Sequence, residues 1–334
     1  MDPESGKPWS SKSLRECYRV AGERFGWSRR SARPGAMRDG PVSIGYGMAT
    51  ATYPTNRSKA SALVRLSSDG RGGVQALVQT ASQDIGTGTY TVMTQVAADA
   101  LGLPVERVRV EIGDSRLPPS PVSGGSMTAA STGSAIDVVC RQARAELASQ
   151  GVTDAASLAA FLERQPERAF TARADSAPGE DAKNYSMHSF GAVFAEVRVD
   201  RELGEIRVPR VVAAYGAGRI LNAKTAHSQL VGGVVWGLGM ALQEETLVDH
   251  RTARYMNADL AEYHVPVNAD IGTLDLQFVE EHDPHVNPIG VKGIGEIGIT
   301  GVAAAIANAV YNATGVRVRE LPITVDKLLA SGTT

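Results

Sequence analysis

A strand pair, a glycine-bearing loop and a helix occur twice along this chain in the same order, and this repetition restricts the fold more than any other feature. In the first copy the pattern predicts a strand over Ser61–Leu66, a turn at Asp69-Gly70 and a returning strand over Val74–Thr80. The loop Gln83-Asp-Ile-Gly-Thr-Gly-Thr89 follows, then a helix over Thr91–Leu101. In the second copy strands are predicted over Ala192–Val199 and Ile206–Ala214, joined by a turn at Asp200–Gly204. The loop Tyr215-Gly-Ala-Gly-Arg219 and a helix over Thr225–Leu242 complete it. A glutamine falls early in each helix, Gln95 and Gln229. A hairpin must cover its apolar face, and the helix that follows it is the nearest apolar surface. The order therefore predicts an α+β fold of two similar lobes, each a β-hairpin or sheet with packed helices. A chance likeness is the alternative, because hairpin-then-helix is common in α+β proteins.

The remaining segments are assigned around this repeat. Ser13-Leu-Arg-Glu16 fits a capping box for a helix over Ser13–Phe25, with Leu14, Cys17, Tyr18, Ala21 and Phe25 on one face. The basic stretch Arg29–Pro41 reads as a surface loop. Residues 1–60 are thus expected to be a helix and loop packing on the second lobe, and residues 61–150 the first lobe. Ala143–Phe161 favours helix, and Gln165–Tyr185 mixes Pro, Gly, Asp and Lys as a mobile excursion would. Residues 151–187 are accordingly expected to be a linker, and residues 188–334 the second lobe. Near the end an apolar helix is predicted over Val302–Ala313, stopped by Gly315, with a short strand over Val316–Leu321.

Composition narrows the function. The 334 residues are 43% hydrophobic and 21% charged, which supports a buried core of Ala, Val, Leu and Ile. A net charge of -2 argues against a nucleic-acid surface. Cys17 and Cys140 form neither a Cys-x-x-Cys pair nor a framework, so a reducing compartment is expected. No leader-like start and no run approaching roughly 18 apolar residues is seen, so the expected location is the cytoplasm and no membrane partner is implied. Periplasmic location is the alternative if a signal-bearing partner carries the chain across.

The chemistry concentrates in Gly290-Val-Lys-Gly-Ile-Gly-Glu-Ile-Gly-Ile-Thr-Gly301, where five glycines surround a single carboxylate, Glu296. Such glycine density suits backbone that passes close to a bulky ligand. The bland alternative is a glutamate that merely sits near a helix N-terminus. Two further small-residue loops, Asp84–Thr89 and Ser123–Ser131, each precede a predicted helix. Exposed N–H groups and hydroxyls there make an anion cradle, and three such loops suggest a large polar ligand. Gly293-x-Gly295-x-x-Gly298 imitates a dinucleotide fingerprint, yet the preceding Glu281-His-Asp-Pro-His-Val-Asn-Pro-Ile289 is no buried strand, so a nucleotide-binding protein is the weakest reading. His282 and His285 have metal-ligand spacing but enclose a proline, so the six histidines read as loop residues and no metal ligand is assigned. Neither a Gly-x-Ser-x-Gly elbow nor a P-loop occurs.

Together these segments resemble the molybdopterin-binding subunit of the xanthine dehydrogenase and aldehyde oxidase family, in the second half of its molybdenum domain. The likeness runs from Ser10-Ser-Lys-Ser-Leu-Arg-Glu-Cys17 and Glu23-Arg-Phe-Gly-Trp27 through the Asp84 loop, Gly113-Asp114 and the Ser123 loop. It continues in His188-Ser-Phe-Gly-Ala192, Gln229-Leu-Val-Gly-Gly233, Gly290–Glu296 and Ala303–Ala309, and its wording is closest to bacterial aldehyde oxidoreductases. The resemblance implies that Glu296 is the general base of an oxidative hydroxylation of aldehydes or N-heterocycles, with water as oxygen source. It implies a molybdenum-molybdopterin cofactor in the cytosine dinucleotide form, its pyrophosphate cradled by Gly86, Thr87, Gly88, Thr89, Gly125, Ser126, Thr128 and Ser131. Gln229 would contact the pterin, with Lys292 and Gly293 also at the cofactor. Thr87 stands where many relatives have glutamine, so that contact must be reorganised. The family's first molybdenum half-domain, iron-sulfur cysteines and flavin site have no counterpart here. The implied partners are therefore an N-terminal molybdenum half, an iron-sulfur subunit, an FAD subunit and a small-molecule substrate, with self-association able to cover the open face. The chain alone is expected to be inactive. A non-catalytic cofactor-binding or assembly module is the competing reading.

Overall fold

The computed structural model describes residues 1–329. Helix α1 (Leu14–Phe25) buries Cys17, Ala21 and Phe25 and ends at Gly26 in the left-handed conformation. Ser13 occupies the N-cap with ψ 21°, outside the extended region that aims a capping side chain, and Glu16 is taken by Arg19 at 2.8 Å, so the expected capping box is not formed. After α1 come β1 (Arg38–Asp39) and a 13-residue strand, β2 (Val42–Pro54), where only a loop was expected from residue 29 to 41 and nothing regular beyond it. The strand escapes hydrophobic patterning because its buried positions are small: Ser43, Gly45, Gly47 and Ala51. A Cβ on Gly45 would overlap the Ala309 carbonyl, and one on Gly47 the Ala305 carbonyl, so a helix backbone lies directly on the strand.

The first hairpin is β3 (Ala60–Ser68) and β4 (Val74–Gln79), followed by α2 (Thr89–Leu101) and β5 (Val108–Glu111). Helix α3 (Ser134–Ser149) and α4 (Ala155–Glu163) replace the single predicted helix. They separate at Gly151, whose φ is 78°, and Asp154 caps the second by accepting from the Ser157 N–H at 2.7 Å. The expected excursion Gln165–Tyr185 instead holds β6 (Ala169–Ser176), which pairs with β3, and the short α5 (Asp181–Asn184). Pairing with a strand a hundred residues earlier overrides the local composition here.

The second hairpin is β7 (His188–Asp200) and β8 (Ile206–Gly216). Helix α6 (Ala223–Leu242) follows, capped by Asn222, then the small hairpin β9 (Val248–Asp249) and β10 (Arg254–Tyr255), and β11 (Thr273–Phe278). Helix α7 (Val302–Thr314) ends at Gly315, φ 82°, and α8 (Val325–Leu329) follows. Val316–Leu321 forms no strand: Val316 and Val318 pack on the core without a pairing partner among the described residues.

The two main sheets share one plan. The first has the order β5-β4-β3-β6 and the second β1-β2-β7-β8-β11. In each, a hairpin (β3/β4 or β7/β8) has an antiparallel strand beside its first member, β6 or β2. Each also has a parallel strand beside its second member, β5 or β11, reached through the crossover helix α2 or α6. A second helix then covers the sheet: α3 lies on β3 and β6, and α7 on β2 and β7. Helix α1 packs the far face of the second sheet through Cys17, Ala21 and Phe25 against Phe194 and Val212. Both faces of β7 are consequently buried, which explains its unbroken apolar run.

Candidate active site

The shared plan places a glycine or small-residue loop before each of the four covering helices, and all four meet at one cavity. The loop before α2, the segment before α3, the segment before α7 and the loop of residues 219–222 before α6 surround a cavity of about 410 Å³, with α6 from Thr225 to Trp236 along one side. Thr87, Thr89, Gly125, Ser126, Thr128, Gln229 and Glu296 all line it. Residues from opposite ends of the sequence thus converge on one hollow of ligand-binding size.

Glu296 is half-buried at the cavity wall. It is not a helix-terminus glutamate, because α7 begins only at Val302 and the carboxylate is directed elsewhere. The Ser126 hydroxyl donates to Glu296 Oε2, and the Glu296 N–H donates to Ser126 Oγ at 3.0 Å. On the other side stands Tyr53, at the end of β2. Burial raises the pKa of its phenol, and the hydrogen bond to Glu296 and that residue's charge raise it further.

The glycines of the Glu296 segment serve neighbouring protein as much as any ligand. A Cβ on Gly293 would come within 2.9 Å of Ser126 Cβ, and one on Gly295 within 3.1 Å of Ser126 Oγ. A Cβ on Gly298 would press on the backbone of Leu230 and Gly233, and Gly233 and Gly237 of α6 are bare for the same reason. Slender backbone on both sides lets α6, the loop and α7 pack at close range.

Several predicted cradle residues are not on the cavity wall. Gly86, with φ 97°, uses its N–H on Asp84 Oδ1 at 2.9 Å. Gly88 sits behind Thr87 and Thr89, whose hydroxyls pair at 3.1 Å. Ser131 is buried and accepts from the Ser58 N–H at 3.0 Å. Gly293 is buried too, its carbonyl taken by the Ser189 hydroxyl at 2.8 Å. Lys292 lines the cavity, yet its ammonium points into a separate polar cluster. There it donates to Ser11 Oγ at 2.6 Å and the His188 carbonyl at 2.9 Å, beside Glu281 and Asp283 at 3.2 Å each. No charge of Lys292 is therefore offered to a ligand.

The repeated glutamines also part company. Gln229 faces the cavity, whereas Gln95 Oε1 accepts from Asn222 Nδ2 at 3.1 Å and ties the two lobes together. Arg219, Asn222 and Trp236 complete the wall and were not singled out from the sequence. Arg219 could have been found, since it follows Gly-Ala-Gly in the second loop of the repeat. Trp236 could have been found as the one aromatic on a glycine-rich helix. His285 is occupied by Asp181 Oδ2 at 3.0 Å and stacks on Tyr185, as a loop histidine would.

Apolar side chains, among them Val92, Met93, Leu221, Ile294 and Trp236, line the cavity together with hydroxyl-bearing residues. Thr87, Thr89, Ser123 and Thr128 line it beside the left-handed Gly86, Gly88 and Gly125; the Ser123 hydroxyl donates to the Gln83 carbonyl at 2.9 Å and that of Ser126 to Glu296, and a Cβ at Gly124 would meet nothing within 4 Å. Among the described residues no three His, Cys, Asp or Glu gather to hold a metal, so a metal here would arrive with ligands of its own. These residues fit a cofactor that brings its own metal donors.

Two α+β lobes that close such a cavity around one carboxylate define a cofactor-binding domain. Residues 20–272 match the family described as "Molybdopterin cofactor-binding domain", and the chain belongs to that family. It is 41% identical over 343 residues to the aldehyde oxidoreductase molybdenum-binding subunit PaoC of Escherichia coli K12, covering 98% of this chain and 46% of that subunit. It is 29% identical over 359 residues to the xanthine dehydrogenase molybdenum-binding subunit of Escherichia coli O157:H7, covering 98% and 47%. The aldehyde oxidoreductase of Desulfovibrio desulfuricans superposes with a TM-score of 0.77 at 25% identity, covering 98% of this chain and 36% of that one. CO dehydrogenase from Oligotropha carboxidovorans shares the fold with a TM-score of 0.84 at 18% identity, over 97% and 45%. The chain spans about half the length of the curated relatives it matches.

Proposed function

We propose that this chain is the base-bearing half of the molybdenum-cofactor subunit of a molybdenum hydroxylase that oxidises aldehydes or hydroxylates N-heterocycles, with water as oxygen source. The observation that carries this reading is Glu296 on the wall of a cavity that two hydroxyl-bearing loops also line. When bound, a molybdopterin cofactor supplies the oxygen-transfer and two-electron chemistry. Thr87, Thr89 and Thr128 would hold its phosphates, and Gln229 would hydrogen-bond its heterocycle. Glu296 would take up a proton on its carboxylate, a role that needs hydrogen-bond reach to the proton's donor. Trp236, 64% exposed at the cavity rim, offers an apolar edge that a covering partner would bury. The names of the relatives, subunits of aldehyde and xanthine oxidising enzymes, favour this reaction class.

The cofactor is read as the cytosine dinucleotide form, and the partners as an N-terminal molybdenum half with iron-sulfur and FAD subunits. No helix among the described residues is long and apolar enough to cross a membrane. We place the complex in the cytoplasm, or in the periplasm if a partner carries the export signal. Cofactor analysis tests the split site: molybdenum and phosphorus are expected to co-purify with the chain only when the N-terminal half is present, and tight loading of the chain by itself would overturn the shared-cavity reading. Gly88→Val sharpens the test. At φ 80°, and with a Cβ 2.9 Å from Thr225 Cγ2, a β-branched residue strains the loop and forces α6 away. The expected result is a loss of molybdenum content of about 5- to 150-fold, as a cost of about 1–3 kcal/mol at the strained residue would give. Unchanged content would remove this loop from the cradle.

A further inference from the structure

The Glu296 carboxylate comes from the second lobe, and the hydroxyl that holds it comes from the first. Ser126 lies in the turn Gly124–Met127, closed by the Met127 N–H on the Gly124 carbonyl at 3.3 Å. Gly125 and Ser126, the two central residues, have φ of 59° and 54°. Positive φ at both positions is the requirement of a type I′ turn, which glycine meets freely and serine does not. Ser126 is one of four non-glycine residues at positive φ among those described. The turn would be better served by Gly-Gly, so local geometry gives no reason for a side chain at position 126.

What the side chain does is visible in its contacts. Ser126 Oγ donates to Glu296 Oε2 and accepts from the Glu296 N–H, gripping both ends of one residue. The glycines at 293 and 295 are the complement of this grip, since a Cβ on either would press against Ser126. We infer that Ser126 is a positioning residue for Glu296: its hydroxyl fixes the direction in which the carboxylate faces the cavity. This rests on Glu296 being the base, and it adds that the loop lining the cofactor cavity also aims that base. Positioning of this kind governs turnover, because a reacting group displaced by about an ångström loses on the order of 100-fold.

The test compares Ser126→Ala with Ser126→Gly. Alanine removes the hydroxyl and keeps the strained Cβ; glycine removes both. In the enzyme assembled with its partner half, both variants are expected to lose kcat by about 10- to 100-fold, with KM within about twofold and molybdenum content unchanged. Neither should lower kcat further in a Glu296→Gln background, as expected of two residues acting through one group. In the full chain without cofactor, the Glu296 amide is expected to exchange its hydrogen faster in both variants, having lost its acceptor. The unfolding midpoint of the glycine variant should exceed that of the alanine variant. A kcat that follows the unfolding midpoint instead of the hydroxyl would make Ser126 a structural residue and overturn the inference. So would normal kcat in both variants while Glu296→Gln is inactive. If Glu296→Gln itself keeps its turnover, the functional reading fails first, and a protected Glu296 amide lost in the serine variants would then describe a packing contact alone.

Discussion

Glu296→Gln in the assembled enzyme is expected to lower kcat by about 10²–10⁴-fold while molybdenum content and folding stability stay at the parental level. The amide is nearly the size of the carboxylate and can still accept from the Ser126 hydroxyl, and the backbone N–H bond to Ser126 Oγ at 3.0 Å does not involve the side chain. No ion pair is broken, because Ser126 and Tyr53 are hydroxyl partners. Stability should therefore change by no more than about 0.5 kcal/mol. What disappears is a group able to take up a proton. Steady-state kinetics at saturating substrate, with metal content measured on the same preparation, separates loss of chemistry from loss of cofactor. A variant that keeps more than about a tenth of parental kcat would leave Glu296 without a catalytic role.

How far the sequence revealed this arrangement depended on side-chain size. Strands β3, β4, β7 and β8 were legible because Val, Leu and Ala alternate with polar residues or run unbroken between turn signals. Strand β2 was not, since its buried positions are Ser43, Gly45, Gly47 and Ala51, and hydrophobicity cannot mark a residue whose task is to be absent. Strand β6 was hidden by its composition and exists through a distant partner. At the site, Glu296 stood out because a lone carboxylate among glycines is anomalous in any local reading. The purpose of those glycines was not legible: Gly293, Gly295 and Gly298 answer to Ser126 and to α6, which no local window contains. Tyr53 was lost together with β2. The loops before α2 and α3 were recognised, yet only some of their members reach the cavity: Gly86 and Ser131 are engaged with Asp84 and Ser58.

Lys292 shows the same limit from the other direction and is expected to give the largest effect on stability. Beside the anticipated ligand loop it looked like a charge for a cofactor, but its side chain is fully buried with those of Glu281 and Asp283. The surplus negative charge is met by donors: Ser11 Oγ to Glu281 at 2.7 Å, the Gly218 N–H to Glu281 at 3.1 Å, and Ser10 Oγ to Asp283 at 2.5 Å. Lys292→Met keeps the volume and removes the only ammonium in the cluster, leaving buried carboxylates without a counter-charge at a cost of about 3–5 kcal/mol. The pH dependence identifies the cause. Burial by itself raises the pKa of Asp283, but the Ser10 hydrogen bond and the Lys292 charge outweigh it and hold the group below its ordinary value. In the parent protein this carboxylate therefore contributes stability above its unfolded pKa, and that contribution is lost as pH falls through the folded value. Without Lys292 the Ser10 and His285 hydrogen bonds remain but the lowering from the ammonium is gone, so the folded carboxylate titrates higher than in the parent and the variant loses less stability than the parent on acidification. The deficit in unfolding midpoint should accordingly be largest at pH 7 and shrink toward pH 4, as followed by thermal unfolding of the full chain across that range. A deficit that is independent of pH would mean that lost packing, and not an orphaned charge, is what Lys292 prevents. Because Lys292 stands four residues before Glu296, the same buried charge also anchors the segment on which the base is carried.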